Sequence, residues 1–330
     1  MEDVAESFQE SINIRHDNKG KGNAGGRGGR GGGRGGGGGG NRDMQLSKAL
    51  SKLLRHQAVA AGIQLDREGY AALDKVLQWG PIKSLKPTFP EVQSAVRDSD
   101  KQRFALKPKE PAANESWTDP ADWLIRANQG HSIKVVDSEA LLRPIAIMTD
   151  AEAACSAAAE AQGSKDANDK DEEGKSALKP VPVPRTVVHG TYFAFWPAIV
   201  SSGGLKRMGR NHVHCSTGVP EEAGGVVSGM RKDAELLVYI DVEKSIREAG
   251  MKWWVSENGV VLTEGMEVDG DEGLVPSRFF REVVGRKKDV GVLWRDGERL
   301  GDLPEGLKVV VPVGKGGRGG RGGRGGRRGH

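Results

Sequence analysis

Leu46-Ser-Lys-Ala-Leu-Ser-Lys-Leu-Leu-Arg-His56 is the stretch from which the rest of the chain is placed. Leu46, Leu50, Leu53, Leu54 and Ala61 share one face at helical spacing, and Gly62 offers a C-terminal stop. The spacing therefore predicts a helix that buries its leucines and leaves Arg55 and His56 at the edge of the apolar face. Read in isolation, those two would be a surface cation and a solvated histidine.

Outward from this helix, Asp66-Arg-Glu-Gly69 reads as a turn, and Leu73, Val76 and Leu77 mark a second short helix. Pro90 opens a third, carrying Val92, Ala95 and Val96. Two strand-like pieces follow, Arg103-Phe-Ala-Leu106 and Trp123-Leu-Ile-Arg126. Three small helices and a β-hairpin outline a winged-helix-like lobe over residues 44–148. Residues 149–182 turn polar and charged without apolar periodicity, so they read as a disordered insertion, stiffened at its exit by Pro180, Pro182 and Pro184. Residues 183–313 then alternate strands and helices. Val187-Val188-His189, Asn211–Ser216 and Glu235–Val242 read as strands, residues 193–202 as a helix and Glu221–Lys232 as mostly helical. Trp253–Ser256 and Val260–Thr263 flank Asn258-Gly259, a hairpin signal. The expected fold class is α+β, in two lobes.

Both ends of the 330-residue chain hold many of its 49 glycines and almost no large apolar side chain. Residues 1–43 and 314–330 are therefore expected to be disordered, because they cannot bury enough surface to offset backbone entropy. Their Gly-Gly-Arg repeats (Arg27, Arg30, Arg34; Arg318, Arg321, Arg324) suit salt-sensitive RNA contact without sequence preference. A dinucleotide fingerprint needs a strand before the glycines and a helix after them, and neither is present. Two cysteines, Cys155 and Cys215, exclude a disulfide framework and fit a reducing compartment. No apolar run approaches the ~20 residues that span a bilayer. Glu2, Asp3, Glu6 and Glu10 oppose a transit peptide, which leaves cytoplasm or nucleus as the expected location.

Arg103 and Arg126 stand among apolar strand residues and need anionic partners. With few acidic residues close by in sequence, a ligand phosphate fits, and the planar arginine fork binds phosphate oxygens in pairs. In Val188-His-Gly-Thr191, glycine would let a ligand approach the backbone while His189 and Thr191 offer hydrogen bonds to a sugar. His212, His214 and Cys215 invite a zinc reading. Period-two geometry puts the two histidines on one strand face and the cysteine on the other, and no second Cys/His pair completes the ligands.

Seven segments occur in a fixed order: Arg55-His56, Lys101-Gln-Arg-Phe104, Ile125-Arg-Ala-Asn-Gln-Gly-His-Ser132, Val188-His-Gly-Thr191, Met208-Gly-Arg-Asn-His-Val-His214, Val227-Ser-Gly-Met-Arg231 and Ser256-Glu-Asn-Gly-Val-Val-Leu-Thr263. Together they resemble the tRNA 2′-phosphotransferases, the Tpt1/KptA family, from about Leu46 to about Gly285. The resemblance implies a winged-helix-like N-terminal lobe joined to an ADP-ribosyltransferase-like C-terminal lobe, with the active site between them. It implies an Arg-His-Arg-Arg catalytic quartet at Arg55, His56, Arg103 and Arg210, with Arg207 a competitor for the last place. His189, Gly190 and Thr191 would hold the adenosine side of NAD, and Arg231, Ser256 and Asn258 would line the ADP-ribose site. His212 and His214 both remain open for the strand's ligand position. The implied reaction moves an internal RNA 2′-phosphate onto NAD, releasing nicotinamide and then ADP-ribose 1″,2″-cyclic phosphate, with arginines rather than a metal neutralising charge. The alternatives are an ADP-ribosyltransferase that stops after the first step, and an inactive RNA-binding protein.

Overall fold

In the computed structural model, residues 39–110, 118–154, 178–221 and 227–311 are described. The Gly-Arg repeats and most of the segment read as an insertion lie outside them.

Helix α1 (Gly39–Lys52) buries Leu46 and Leu50 and then widens into a π-helical turn over Leu53–Gln57. Gly62 adopts a positive φ of 71°, closing the helical run where the sequence set its stop. The short helices α2 (Leu73–Gln78) and α3 (Gly80–Lys83) follow. In α4 (Phe89–Arg97) a capping box starts the helix: Thr88 Oγ1 accepts from the Glu91 amide at 3.4 Å, and Glu91 Oε2 accepts from the Thr88 amide at 2.7 Å. Strands β1 (Ala71–Ala72), β2 (Phe104–Pro108) and β3 (Trp123–Ala127) make an antiparallel sheet in the order β1-β3-β2. Helices and sheet close over one core in which Leu50, Leu53, Leu54, Ile82, Phe104 and Ile125 are fully or almost fully buried.

Beside a three-stranded sheet of Met266–Val268 (β12), Asp271–Pro276 (β13) and Gly204–Lys206 (β7), two five-stranded sheets build the remainder. One runs Val181–Pro182 (β5), Arg143–Ala146 (β4), Trp254–Val255 (β10), Val261–Thr263 (β11) and Val213–Cys215 (β8). The other runs Glu298–Arg299 (β16), Val292–Arg295 (β15), Phe280–Gly285 (β14), Leu236–Ile240 (β9) and Val188–Thr191 (β6). They meet where Val188 and Ser216 exchange backbone hydrogen bonds of 2.9 Å each, which sets β6 beside β8. The larger core lies between these sheets, around Trp196, Trp253, Phe279 and Phe280. Trp253 is satisfied there by donating its indole N–H to Ser245 Oγ at 2.9 Å. The first of these sheets takes strands from both sides of residue 148, the expected end of the first lobe.

Three expectations need correction or trimming. The Asn211–Ser216 strand shrinks to β8, because Asn211 is drawn toward the first core: its amide donates to His131 O at 2.9 Å and its Nδ2 to Ile133 O at 3.1 Å. The helical reading of Glu221–Lys232 fails over residues 227–232, which form turns. Gly229 takes a φ of 82° there and packs so closely that a Cβ would stand 2.5 Å from Cys215 O. Pro182, inside the segment read as disordered, pairs in a parallel strand with Ala146.

Leu53 is fully buried at the start of the π turn. Leu53→Ala is expected to cost about 2–5 kcal/mol and lower the urea midpoint accordingly. An unchanged midpoint would show that the turn is not held by this core.

Candidate active site

A π turn holds one more residue than an α turn and re-aims the side chains that follow. In Leu53–Gln57 this sends Leu53 and Leu54 into the core and also buries Arg55, which is 6% exposed. Both residues at the turn's far end are held by the Gln129–Ser132 stretch. The Ser132 amide donates to Arg55 O at 3.0 Å, and His56 Nδ1 lies 2.9 Å from Ser132 Oγ. Gly130, at a φ of 88°, lies flat over the Arg55 side chain, with its Cβ position 3.5 Å from the guanidinium carbon.

Arg103 stands just before β2, its carbonyl accepting from the Asn128 amide at 2.9 Å and its Nη1 donating to Ser99 Oγ at 3.3 Å. Asn258, from the β10–β11 hairpin, donates through Nδ2 to Lys101 O at 2.8 Å, and Lys101 Nζ donates to Met230 O at 3.3 Å. These ties bring the edge of the first sheet against β6 and β8. Between them lies a polar cavity lined by Arg55, Lys101, Arg103, Gln129, His189, Gly190, Arg210, His214, residues 228–231 and Asn258. A second, more apolar cavity adjoins it, walled by Thr191, Phe195, Ile199, Leu205 and Met208. His189, Arg210, His214 and Arg231 line both.

The polar cavity is rich in cations, and no carboxylate is among the residues that line it. Burial lowers the pKa of Arg231, whose Nη1 finds no hydrogen-bond partner; neither do His214 Nε2 and Gln129 Oε1. Burial pushes His189 down to about 4 and His131 to about 3, and holds His214 well below the usual histidine range. His189 Nδ1 lies 2.8 Å from His214 O. A carbonyl only accepts, so Nδ1 carries the proton and Nε2 keeps a lone pair. Such a surface suits an anion that also carries hydroxyl groups.

The structure thus brings together Arg55, Arg103 and Arg210 with His189, Gly190, Arg231 and Asn258, while Thr191 lines the apolar cavity. His56 sits next to Arg55 on the π turn. Ser256 lies behind the wall, donating to Asn258 Oδ1 at 2.7 Å and accepting from the Val260 amide at 3.0 Å. Both polar ends of Asn258 are therefore engaged within the protein. Arg207 pairs with Glu272 at 3.0 Å. His212 and His214 both face the apolar cavity and Cys215 packs in the core, as period-two geometry requires. His212 Nε2 is 2.9 Å from Ser138 Oγ. That hydroxyl already donates to Glu264 at 2.6 Å, so His212 Nε2 carries the proton.

Two readings are corrected. Arg126 does not await a phosphate: it pairs with Glu257 at 3.1 Å and Glu68 at 3.7 Å and lies over the Tyr70 ring at 4.7 Å. The side-chain space of Gly190 is filled by the protein itself, with Met230 Sδ and Ala234 Cβ packed against the Cβ position, while the residue still lines the polar cavity. Lys101, Gln129, Ser228 and Met230 were not singled out as lining residues, although each belongs to one of the seven ordered segments.

The family model described as RNA 2′-phosphotransferase, Tpt1/KptA family, matches residues 41–265. The chain is 38% identical to tRNA 2′-phosphotransferase 1 of Danio rerio over 73% of its own length and 85% of that protein's. It is 34% identical to the tRNA 2′-phosphotransferase of Saccharomyces cerevisiae over 69% and 81%. A probable RNA 2′-phosphotransferase of Rhizobium leguminosarum is 29% identical over 68% and 91%.

Because His131, His189 and His212 stay neutral when buried, the unfolded chain binds more protons between their folded values, about 3 to 4, and the ordinary 6.5. Stability is therefore expected to fall as pH drops from 6.5 toward 4, by up to about 1.4 kcal/mol per pH unit for each buried histidine. Urea midpoints taken from pH 7 to 5 should decline, and less steeply in His131→Asn. An identical slope in that variant would remove His131 from this account.

Proposed function

We propose that the adjoining cavities carry out transfer of an internal RNA 2′-phosphate to NAD, from the premise that this chain belongs to the RNA 2′-phosphotransferase, Tpt1/KptA family. The chain is an enzyme of that family, an RNA 2′-phosphotransferase of the kind that acts in tRNA splicing. We read residues 44–148 as the winged-helix-like lobe and residues 183–313 as the ADP-ribosyltransferase-like lobe. The Gly-Arg tails would add salt-sensitive RNA contact. The observation that carries the site assignment is the meeting of Arg55, Arg103, Arg210 and Arg231 in one cavity lined by no carboxylate, with Arg231 Nη1 buried there without a hydrogen-bond partner.

NAD fits the residues present. Arg231 Nη1 suits its pyrophosphate, His189 Nε2 suits a ribose hydroxyl, and the apolar cavity suits a flat heterocycle. As co-substrate, NAD supplies an electrophilic ribose carbon and nicotinamide as leaving group. A 2′-phosphate is mostly dianionic at neutral pH, so it needs positioning more than deprotonation. Arg55, Arg103 and Arg210 take its oxygens. His56, beside Arg55, acts in the second step, where the neighbouring ribose hydroxyl attacks phosphorus and the RNA 2′-oxygen leaves. Charge grows on the phosphoryl oxygens in that step, and the same arginines then bind most strongly. We assign the fourth place of the quartet to Arg210 over Arg207, because Arg210 lines both cavities while Arg207 is spent on Glu272. Asn258 and Ser256 act by fixing the wall rather than by touching NAD. Four arginines supply the charge neutralisation that a metal performs in many phosphoryl transfers, so none is assigned.

The deciding experiment incubates the purified chain, in excess chelator, with a short RNA carrying one internal 2′-phosphate, with and without NAD. Loss of the phosphate only with NAD, together with ADP-ribose cyclic phosphate, is expected. A stable ADP-ribosylated RNA would show a transferase that stops after one step, and bound but unreacted RNA would leave only a binding protein. In Arg103→Ala or Arg210→Ala the second step is expected to slow roughly 10²–10³-fold, more than the first, so that the ADP-ribosylated RNA accumulates. Equal slowing of both steps would sink the assignment.

A further inference from the structure

The cavity wall formed by residues 228–231 is a turn, and turns do not hold themselves still. Its contacts with β6 and β8 tolerate no drift: the Gly190 surface fits Met230, and the Gly229 surface fits Cys215 O. Something must press this segment into place from its outer side. Arg286 does so with one side chain. Its Nε and Nη2 donate to both carboxylate oxygens of Glu221, at 2.8 to 3.2 Å, and its Nη1 donates to Arg231 O and Lys232 O at 3.0 Å each. The Arg286 side chain is 4% exposed, which shields its bonds to the two carbonyls, while the Glu221 carboxylate stays half-exposed. Arg286 is itself anchored, for its amide donates to Glu235 O at 2.8 Å, extending the ladder between β14 and β9. It lies beyond the residues that the family model matches, which end at 265.

We propose that Arg286 is a positioning residue for the reaction: it pins Glu221 and the Arg231–Lys232 backbone to β14 and so fixes the Arg231 guanidinium between the two cavities. This rests on the proposed role of Arg231 toward NAD. Only a planar fork reaches a carboxylate and two carbonyls at once, so lysine keeps the charge and loses the geometry.

The test compares wild type with Arg286→Lys by amide hydrogen exchange and by steady-state kinetics with NAD varied. Exchange over residues 228–232 is expected to speed up about tenfold while that of α1 and β3 stays unchanged. The KM for NAD should rise about tenfold with kcat within about twofold, the loss expected when charge-assisted hydrogen bonds to a binding wall are removed. In an Arg231→Lys background the further change should largely vanish, since both substitutions disable one group. Glu221→Gln, which leaves the two carbonyl contacts, should show a smaller shift in the same direction and serves if Arg286→Lys does not fold. Unchanged exchange over 228–232, or a KM effect undiminished in the Arg231→Lys background, overturns the proposal. If wild type fails to remove 2′-phosphate, the functional reading falls, and the exchange result alone still decides whether Arg286 pins the wall.

Discussion

Arg55 and Arg103 come from one part of the chain and Arg210 and Arg231 from another, and folding has to bring these cations to one cavity without a carboxylate among the residues that line it. Two like charges 4 Å apart repel by about 4 kcal/mol at an effective dielectric of 20. Most of the bonds across the junction carry no ion pair. Asn258 reaches Lys101 O, Asn211 reaches His131 O and Ile133 O, and Lys101 reaches Met230 O. Arg126–Glu257 adds a charged tie from the same strand pair. The acidic groups stay outside, where they hold the frame without quenching the positive potential within. Burial keeps His131 and His189 neutral, and the arginines beside them act in the same direction, because protonation would add charge where it is already in excess.

Steric fit supports the electrostatics. Gly130 lies over Arg55, Gly190 admits Met230, and Gly229 approaches Cys215 O. In each case the absent side chain is replaced by a protein atom. Rigid walls matter for a site that works mainly by orientation, since misplacement of an ångström is costly in rate.

Much of this was legible in the sequence because it is encoded locally. Leucine spacing marked the first helix, Pro90 marked α4, and Asn258-Gly259 marked its hairpin. The π turn was not legible: nothing in Leu53–Gln57 opposes an α-helix, and its widening goes with tertiary bonds from Gln129–Ser132. Arg126 misled for a related reason. Its shorter carboxylate pairing is with Glu257, 131 residues away, so the neighbouring sequence offers only an unpaired cation. Residues 227–232 were read as helix because close glycine packing against β8 has no periodic signature. Of the last strands, β14 shifts register against both its neighbours and β15 and β16 are short, which blurs alternation. The arginines of the site were found through their order along the chain. Their meeting in one cavity is a property of the folded chain.

His189 has a consequence for recognition itself. Lysine and arginine can only donate, so most of the polar cavity speaks one half of the hydrogen-bond code. An ion that accepts on every side can satisfy those donors in many orientations. The His189 lone pair, fixed by the His214 carbonyl, asks for a donor at one point in space. A ligand that carries both phosphate oxygens and a sugar hydroxyl is thereby given a direction, and a bare polyanion is not. In the proposed site the charges would set how strongly a ligand is held, and the uncharged acceptors, His189 Nε2 and Gln129 Oε1, would set which way round it lies.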